Sequence, residues 1–268
     1  MANMKIPPLD LMFFLTESAE SPKHVGAVQV FELPARAPAD YLVKLVAAFK
    51  EAPVISPFNY RPVFPRFGLP EWETDQEIDI DYHVRHSALP RPGNNAQLME
   101  VVQRLHATLL DRRRPGWICQ IIEGLEGNRF AIYTKIHHAY IDGMSGVKRM
   151  YGSLSSSPRE TKITPTWSYD PATAEKTGSA ARRGHKGPGI AESLVKQFKG
   201  VAEAGEVLGR MGLQILRLRN SEGQVPFMAT RNRMNLPIEW DSRTTAVCTL
   251  QLGRVKAVGK AWGCTVNE

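Results

Sequence analysis

Only three cysteines, Cys119, Cys248 and Cys264, occur in this 268-residue chain. An odd and scattered set forms no disulfide framework, which points to a reducing, cytoplasmic setting rather than to secretion. No Cys-x-x-Cys or His-Glu-x-x-His spacing is present, so two common zinc signatures are missing. No apolar run approaches the roughly 20 residues that a membrane-spanning helix needs. The stretch from Leu9 to Leu15 is too short for a secretory signal and carries Asp10. A chain of this make-up that handled lipids would have to meet them at a surface. A Gly-x-Ser-x-Gly element is also lacking, and with it the usual sign of a covalent acyl-enzyme.

Acidic residues are the minority: 27 against 34 lysines and arginines, a net charge of +7 and a pI near 9.4. That balance favours anionic partners, such as phosphates or acidic lipid headgroups. Nucleic acid is the competing reading. The run Arg112-Arg113-Arg114 has no interleaved aromatics and no zinc-finger or RNA-recognition pattern around it, so it reads as a solvated stretch.

What is present suits a globular α/β protein with a sizeable core, at 43% hydrophobic and 23% charged residues. Val25 to Leu33 reads as a strand. Pro38 to Ala52 carries helical spacing at Tyr41, Leu42, Leu45, Val46 and Phe49. Pro53 to Pro70 is proline-rich and irregular and reads as a loop. Asn94 to Leu110 places Leu98, Val101, Val102, Leu105 and Leu109 on one stripe, with His106 at its edge. Trp117 to Glu123 and Arg129 to Ile136 form a hairpin around Gly124 to Asn128, with Gly127-Asn128 as its turn signal. Four stretches follow from this pass: 1–153 as a domain, 154–189 as a flexible basic linker, 190–220 as a long amphipathic helix, and 221–268 as a connection leading to a strand and helix. The strand is expected over Thr245 to Leu252 and the helix over Arg254 to Ala261.

The most specific feature is His137-His138-Ala139-Tyr140-Ile141-Asp142-Gly143, an H-H-x-x-x-D-G block that closes an apolar strand. Alternation puts His138 with Phe130, Ile132, Thr134 and Ile136, and His137 with Arg129, Ala131, Tyr133 and Lys135. The two histidines cannot both face one substrate if the strand runs through them. Gly143, Ser145 and Gly146 then open a short helix, so the block sits at a strand-to-helix corner. Three readings stand: a metal site, a structural pair with Asp142 capping the helix, or a general base for acyl transfer. Adjacent strand residues diverge and no further ligands are spaced to join them, which weighs against metal.

On these residues the chain resembles the bacterial wax ester synthase/acyl-CoA:diacylglycerol acyltransferases, which share the chloramphenicol acetyltransferase-like fold and its H-H-x-x-x-D-G motif. Pro8-Leu9-Asp10 with Phe13-Phe14-Leu15 and His24-Val25-Gly26 looks like the family's opening. Trp72, Ile78 to Val84 and Leu89-Pro90-Arg91-Pro92-Gly93 are similar to its next stretch. Arg114-Pro115-Gly116-Trp117 matches the segment before the motif, except that Gly116 stands where leucine is usual. Gly263 to Asn267 looks like a second motif, in which asparagine is normally followed by aspartate; here Glu268 follows.

The resemblance implies an amino-terminal half of a chloramphenicol acetyltransferase-like α/β fold, a mixed sheet with flanking helices. It implies transfer of a long acyl group from acyl-CoA, as co-substrate and with no cofactor, to diacylglycerol or a fatty alcohol. His138 would be the base, with His137, Asp142 and Gly143 around it and Asn267 as oxyanion donor. Asp142 would orient the corner by pairing with an arginine, Arg243 being one candidate. The missing second half or another copy of the chain, and a peripheral membrane or lipid-inclusion surface, are the implied partners. Two alternatives accompany this reading: a half that binds acyl-CoA or lipid without turnover, and a peptide-condensation domain.

Overall fold

Strong local signals account for most of the elements. A computed structural model of the chain describes residues 4–157, 162–171 and 243–266. Among them, β2 (His24–Glu32), β7 (Arg129–His137), β6 (Trp117–Leu125) and β5 (Val84–Ala88) make one sheet in that order. β2–β7 and β7–β6 are antiparallel and β6–β5 parallel, so the sheet is mixed as expected. A second sheet joins β1 (Met4–Lys5), β4 (Glu71–Thr74) and β3 (Tyr60–Val63). The helices are α1 (Pro8–Thr16), α2 (Tyr41–Glu51), the single turn α3 (Ile80–His83), α4 (Asn95–Ala107), α5 (Gly143–Gly152) and α6 (Leu252–Trp262).

The β6–β7 hairpin turns through Gly127 and Asn128, both at positive φ, where a side chain other than that of asparagine or aspartate is disfavoured. α4 begins with a reciprocal cap: the Asn94 side chain accepts from the Gln97 amide, and Gln97 accepts from the amide of Asn94. Period two along β7 divides its residues between two cores. Phe130, Ile132 and Ile136 join Trp117, Ile121, Phe14 and Trp72 on one face, while Ala131 and Tyr133 pack with Ile122, Leu98 and Val102 beneath α4. β7 is therefore buried on both faces, which explains its near-continuous apolar character.

Two expectations are corrected here. Residues 243–251 form no strand: 244–251 run exposed, without a ladder partner among the described residues, and a segment without a paired strand gains little from its β-branched side chains. The helix after them is present, as α6. Within the stretch expected as a linker, Trp167 is 2% exposed and stacks on Trp117 at 4.8 Å, and the backbone amide of Ile55 donates to its carbonyl. One large aromatic is enough to hold such a segment to the core. The expected long helix at 190–220, residues 158–161 and 172–189 of that linker, and Asn267 lie outside the described residues.

Candidate active site

β7 ends at His137, so the strand does not run through His138, and the condition that would have turned the two histidines apart is not met. The His137 amide donates to the Gly116 carbonyl, and the next amide, of His138, donates to the Lys23 carbonyl at the start of β2. Both imidazoles then meet the same helix. His138 stacks on Phe13 (centroids 4.3 Å, 23°) and His137 on Phe14 (4.2 Å, 10°).

The environments of the two rings differ. His137 is 2% exposed, and its Nδ1 accepts from the Ala139 amide at 3.2 Å, which places the proton of the neutral ring on Nε2. Glu17 Oε1 lies 3.5 Å from that Nε2, within ion-pair distance yet outside hydrogen-bond geometry. Burial, with Arg112 and His138 nearby, holds the His137 pKa down at about 4, so the ring is neutral and the contact is not an ion pair. Glu17 instead takes the guanidinium of Arg112 at 3.0 and 3.1 Å and the Lys23 amide at 3.3 Å. His138, by contrast, is only half-buried.

Asp142 and Gly143 are exposed at the start of α5. The Asp142 carboxylate accepts from the Ser145 amide at 2.8 Å and the Ser145 hydroxyl at 2.9 Å, and these bonds hold its pKa below the usual carboxylate value. The expected pairing with an arginine is thus corrected: among the described residues Asp142 is a helix cap, and Arg243 donates to the carbonyls of Ala19 and Glu20 instead. A cap needs only the nearest amides, whereas an arginine partner would have to reach the corner from elsewhere in the fold.

Sequence reasoning did not single out the α1 face. Asp10, Phe13, Phe14 and Glu17 follow the i, i+3, i+4, i+7 spacing of one helical stripe, and each meets the histidine pair or its surroundings. Burial raises the Asp10 carboxyl to about 6, against the lowering effect of nearby His138, with Asp142 adding repulsion. The spacing was visible in the sequence; what the stripe faces was not. His106 is a core-edge residue as expected: its Nδ1 contacts the Tyr133 hydroxyl at 2.9 Å and its carbonyl accepts from His24 Nε2. No group of three or more His, Cys, Asp or Glu side chains among the described residues is arranged to hold a metal ion.

The chain is similar to proteins of Mycobacterium tuberculosis named as diacylglycerol O-acyltransferases. One is 38% identical over 266 residues and another, Tgs2, 36% identical over 271. In each case the match covers 97% of this chain and 56% of the relative, so the chain spans little more than half the length of these relatives. The solved wax ester synthase/diacylglycerol acyltransferase of Marinobacter aquaeolei VT8 superposes with a TM-score of 0.70 at 32% identity, over 98% of this chain and 56% of that one. The fold class expected from the sequence, chloramphenicol acetyltransferase-like α/β with a mixed sheet, is the one found. Residues 6–268 match the wax ester synthase/diacylglycerol acyltransferase catalytic domain, and the chain belongs to that family.

Proposed function

We propose that this chain carries the histidine site of an acyl-CoA-dependent O-acyltransferase that makes triacylglycerol from diacylglycerol or wax ester from a fatty alcohol. The observation that carries this reading is the division between two adjacent rings: His137 is sealed and neutral, while His138 is only half-buried and keeps contact with solvent. His138 takes the proton of the acceptor hydroxyl as its oxygen attacks the thioester carbonyl. The tetrahedral intermediate collapses, the C–S bond breaks, and the proton passes from His138 to the departing thiolate, giving ester and free coenzyme A. Acyl-CoA enters as co-substrate and no cofactor is required. Asn267 is the proposed oxyanion donor. The lipid acceptor would be met at a membrane or lipid-inclusion surface.

The span of the match, 56% of each relative, supports a second reading in which this chain binds acyl-CoA or lipid and turns over only with a carboxy-terminal half or another copy of the chain. One assay separates them: palmitoyl-CoA with diacylglycerol or hexadecanol, with and without an added carboxy-terminal half from a relative. Ester from the chain alone supports a complete site, and ester only with the added half supports the second reading. Absence of ester in both arms, or equal turnover by His138→Ala, overturns the catalytic proposal.

A further inference from the structure

The connection from β3 to β4 projects an apolar tip from the smaller sheet. Phe67 is 86% exposed and Leu69 62%, with Gly68 between them at φ +111°, a conformation that turns the chain back sharply. Exposing two large apolar side chains at the end of a short loop is costly in water unless something covers them. Arg66 sits beside them, its guanidinium 5.8 Å from the Phe67 ring, and it forms none of the ion pairs found among the described residues. The base of the same loop reaches the candidate site: Phe64 packs edge-on against Phe14, which in turn stacks on His137.

We infer that the Phe64–Leu69 loop is a lipid-docking finger that seats the protein on an anionic lipid surface beside its histidine corner. A projecting tip, unlike a groove, suits a fluid partner that closes around it. Phe67 and Leu69 enter the acyl region while the Arg66 guanidinium stays at the phosphate level, the arrangement interfacial segments use. The chain's net charge of +7 adds attraction to an acidic leaflet. Docking at this point places the surface next to α1, the helix that carries Phe13 and Phe14 against the histidines, so an acceptor dissolved in lipid has a short path to the site. The functional consequence rests on the proposed lipid acceptor; the docking itself does not.

The test is co-sedimentation of the 268-residue chain with vesicles of phosphatidylcholine alone and of equal parts phosphatidylcholine and phosphatidylglycerol. The expected result is preferential binding to the mixed vesicles, weakened by salt. The double variant Phe67→Ser/Leu69→Ser should lose at least about tenfold in partitioning, and Arg66→Gln about fivefold on the acidic vesicles with little change on the neutral ones. Both variants should melt with the wild type, since the replaced side chains project from the fold. Wild type that stays in the supernatant, or a double variant that partitions like wild type, overturns the inference. So does a double variant whose partitioning is unchanged but whose self-association in sedimentation is lost, which would make the tip a protein interface. Because no acyl transfer is measured, failure here and failure of the acyltransferase reading are told apart.

Discussion

A β-carbon built on Gly116 would stand 2.6 Å from the ring of Tyr140, closer than a real Cβ approaches another atom. Gly116 is the residue whose carbonyl accepts from the His137 amide, and Tyr140 lies inside the histidine motif, its hydroxyl donating to the Tyr60 carbonyl at 3.0 Å. Tyr140 therefore occupies the space that a side chain at position 116 would need. Gly116→Ala should cost about 1–3 kcal/mol in urea unfolding, and Gly116→Leu more. In a Tyr140→Ala background Gly116→Leu should be close to neutral, a coupling of about 2 kcal/mol or more in the double-mutant cycle. Equal cost in both backgrounds would show that the two positions are independent.

The adjacent histidines should fail in different ways. His137→Ala opens a cavity against Phe14 and leaves the buried Ala139 amide without its acceptor, so a loss of about 2–4 kcal/mol in stability is expected, with activity falling as a consequence. His138→Ala removes a half-buried ring that stacks on Phe13. Its stability loss should stay near 1 kcal/mol, while turnover drops by about 10²–10⁴. Melting curves and single-turnover rates on both variants check this; equal stability losses would undo the division of roles.

The fold was most legible where the determining interactions are local. The β6–β7 hairpin follows from period two and from Gly127-Asn128, and α4 from Asn94 and Gln97 three residues apart. The motif itself located the corner. What escaped depends on long-range contact: that α1 offers Phe13 and Phe14 to the two histidines, that Trp167 returns to stack on Trp117, and that residues 245–251 find no strand partner among the described residues. β3 fell within the stretch read as proline-rich and irregular, because it is short and carries Pro62, a residue that donates nothing to a ladder. In the site, residue identities were readable and orientations were not. Asp142 as a helix cap was among the readings the residues offered, and its bonds to the amide and hydroxyl of Ser145 lie within its own helix turn; the arginine pairing came from the resemblance alone.

If Asp142 acts as a cap, an amide should serve nearly as well as a carboxylate. Asp142→Asn is expected to keep the Ser145 amide bond, to unfold within about 0.5 kcal/mol of wild type, and to retain most of its turnover. Asp142→Ala should lose about 1 kcal/mol and more of its turnover, because α5 starts at the corner that holds His138. The comparison is made by urea unfolding and initial rates on the three proteins. A collapse of activity in the asparagine variant with its stability intact would instead point to a role for the charge.

Acid should destabilise this protein earlier than carboxylate titration alone would. His24, His83 and His137 are all buried, and burial is the largest cause holding each near 4, below the ordinary 6.5. The unfolded chain therefore binds more protons than the folded one between those values. Their contribution is fully present above about pH 6.5 and is lost as the pH falls toward 4. Asp10 acts in the opposite sense: its carboxyl is raised from 3.8 to about 6, so between those values the folded chain holds the extra proton and stability declines as pH rises. Three histidines against one aspartate leave a net of about two protons near pH 5, a slope of about 2–3 kcal/mol per pH unit. His83→Phe keeps an aromatic ring against Trp117, now 4.4 Å away, and removes one titrating group, so the slope should fall by about 1.4 kcal/mol per unit. Asp10→Asn should steepen it by a smaller amount, since Asp10 is only half-buried and its shift is partly screened. Urea unfolding between about pH 4.5 and about pH 6.5 reads both; a slope unchanged by His83→Phe would mean that this ring is protonated in the folded protein after all.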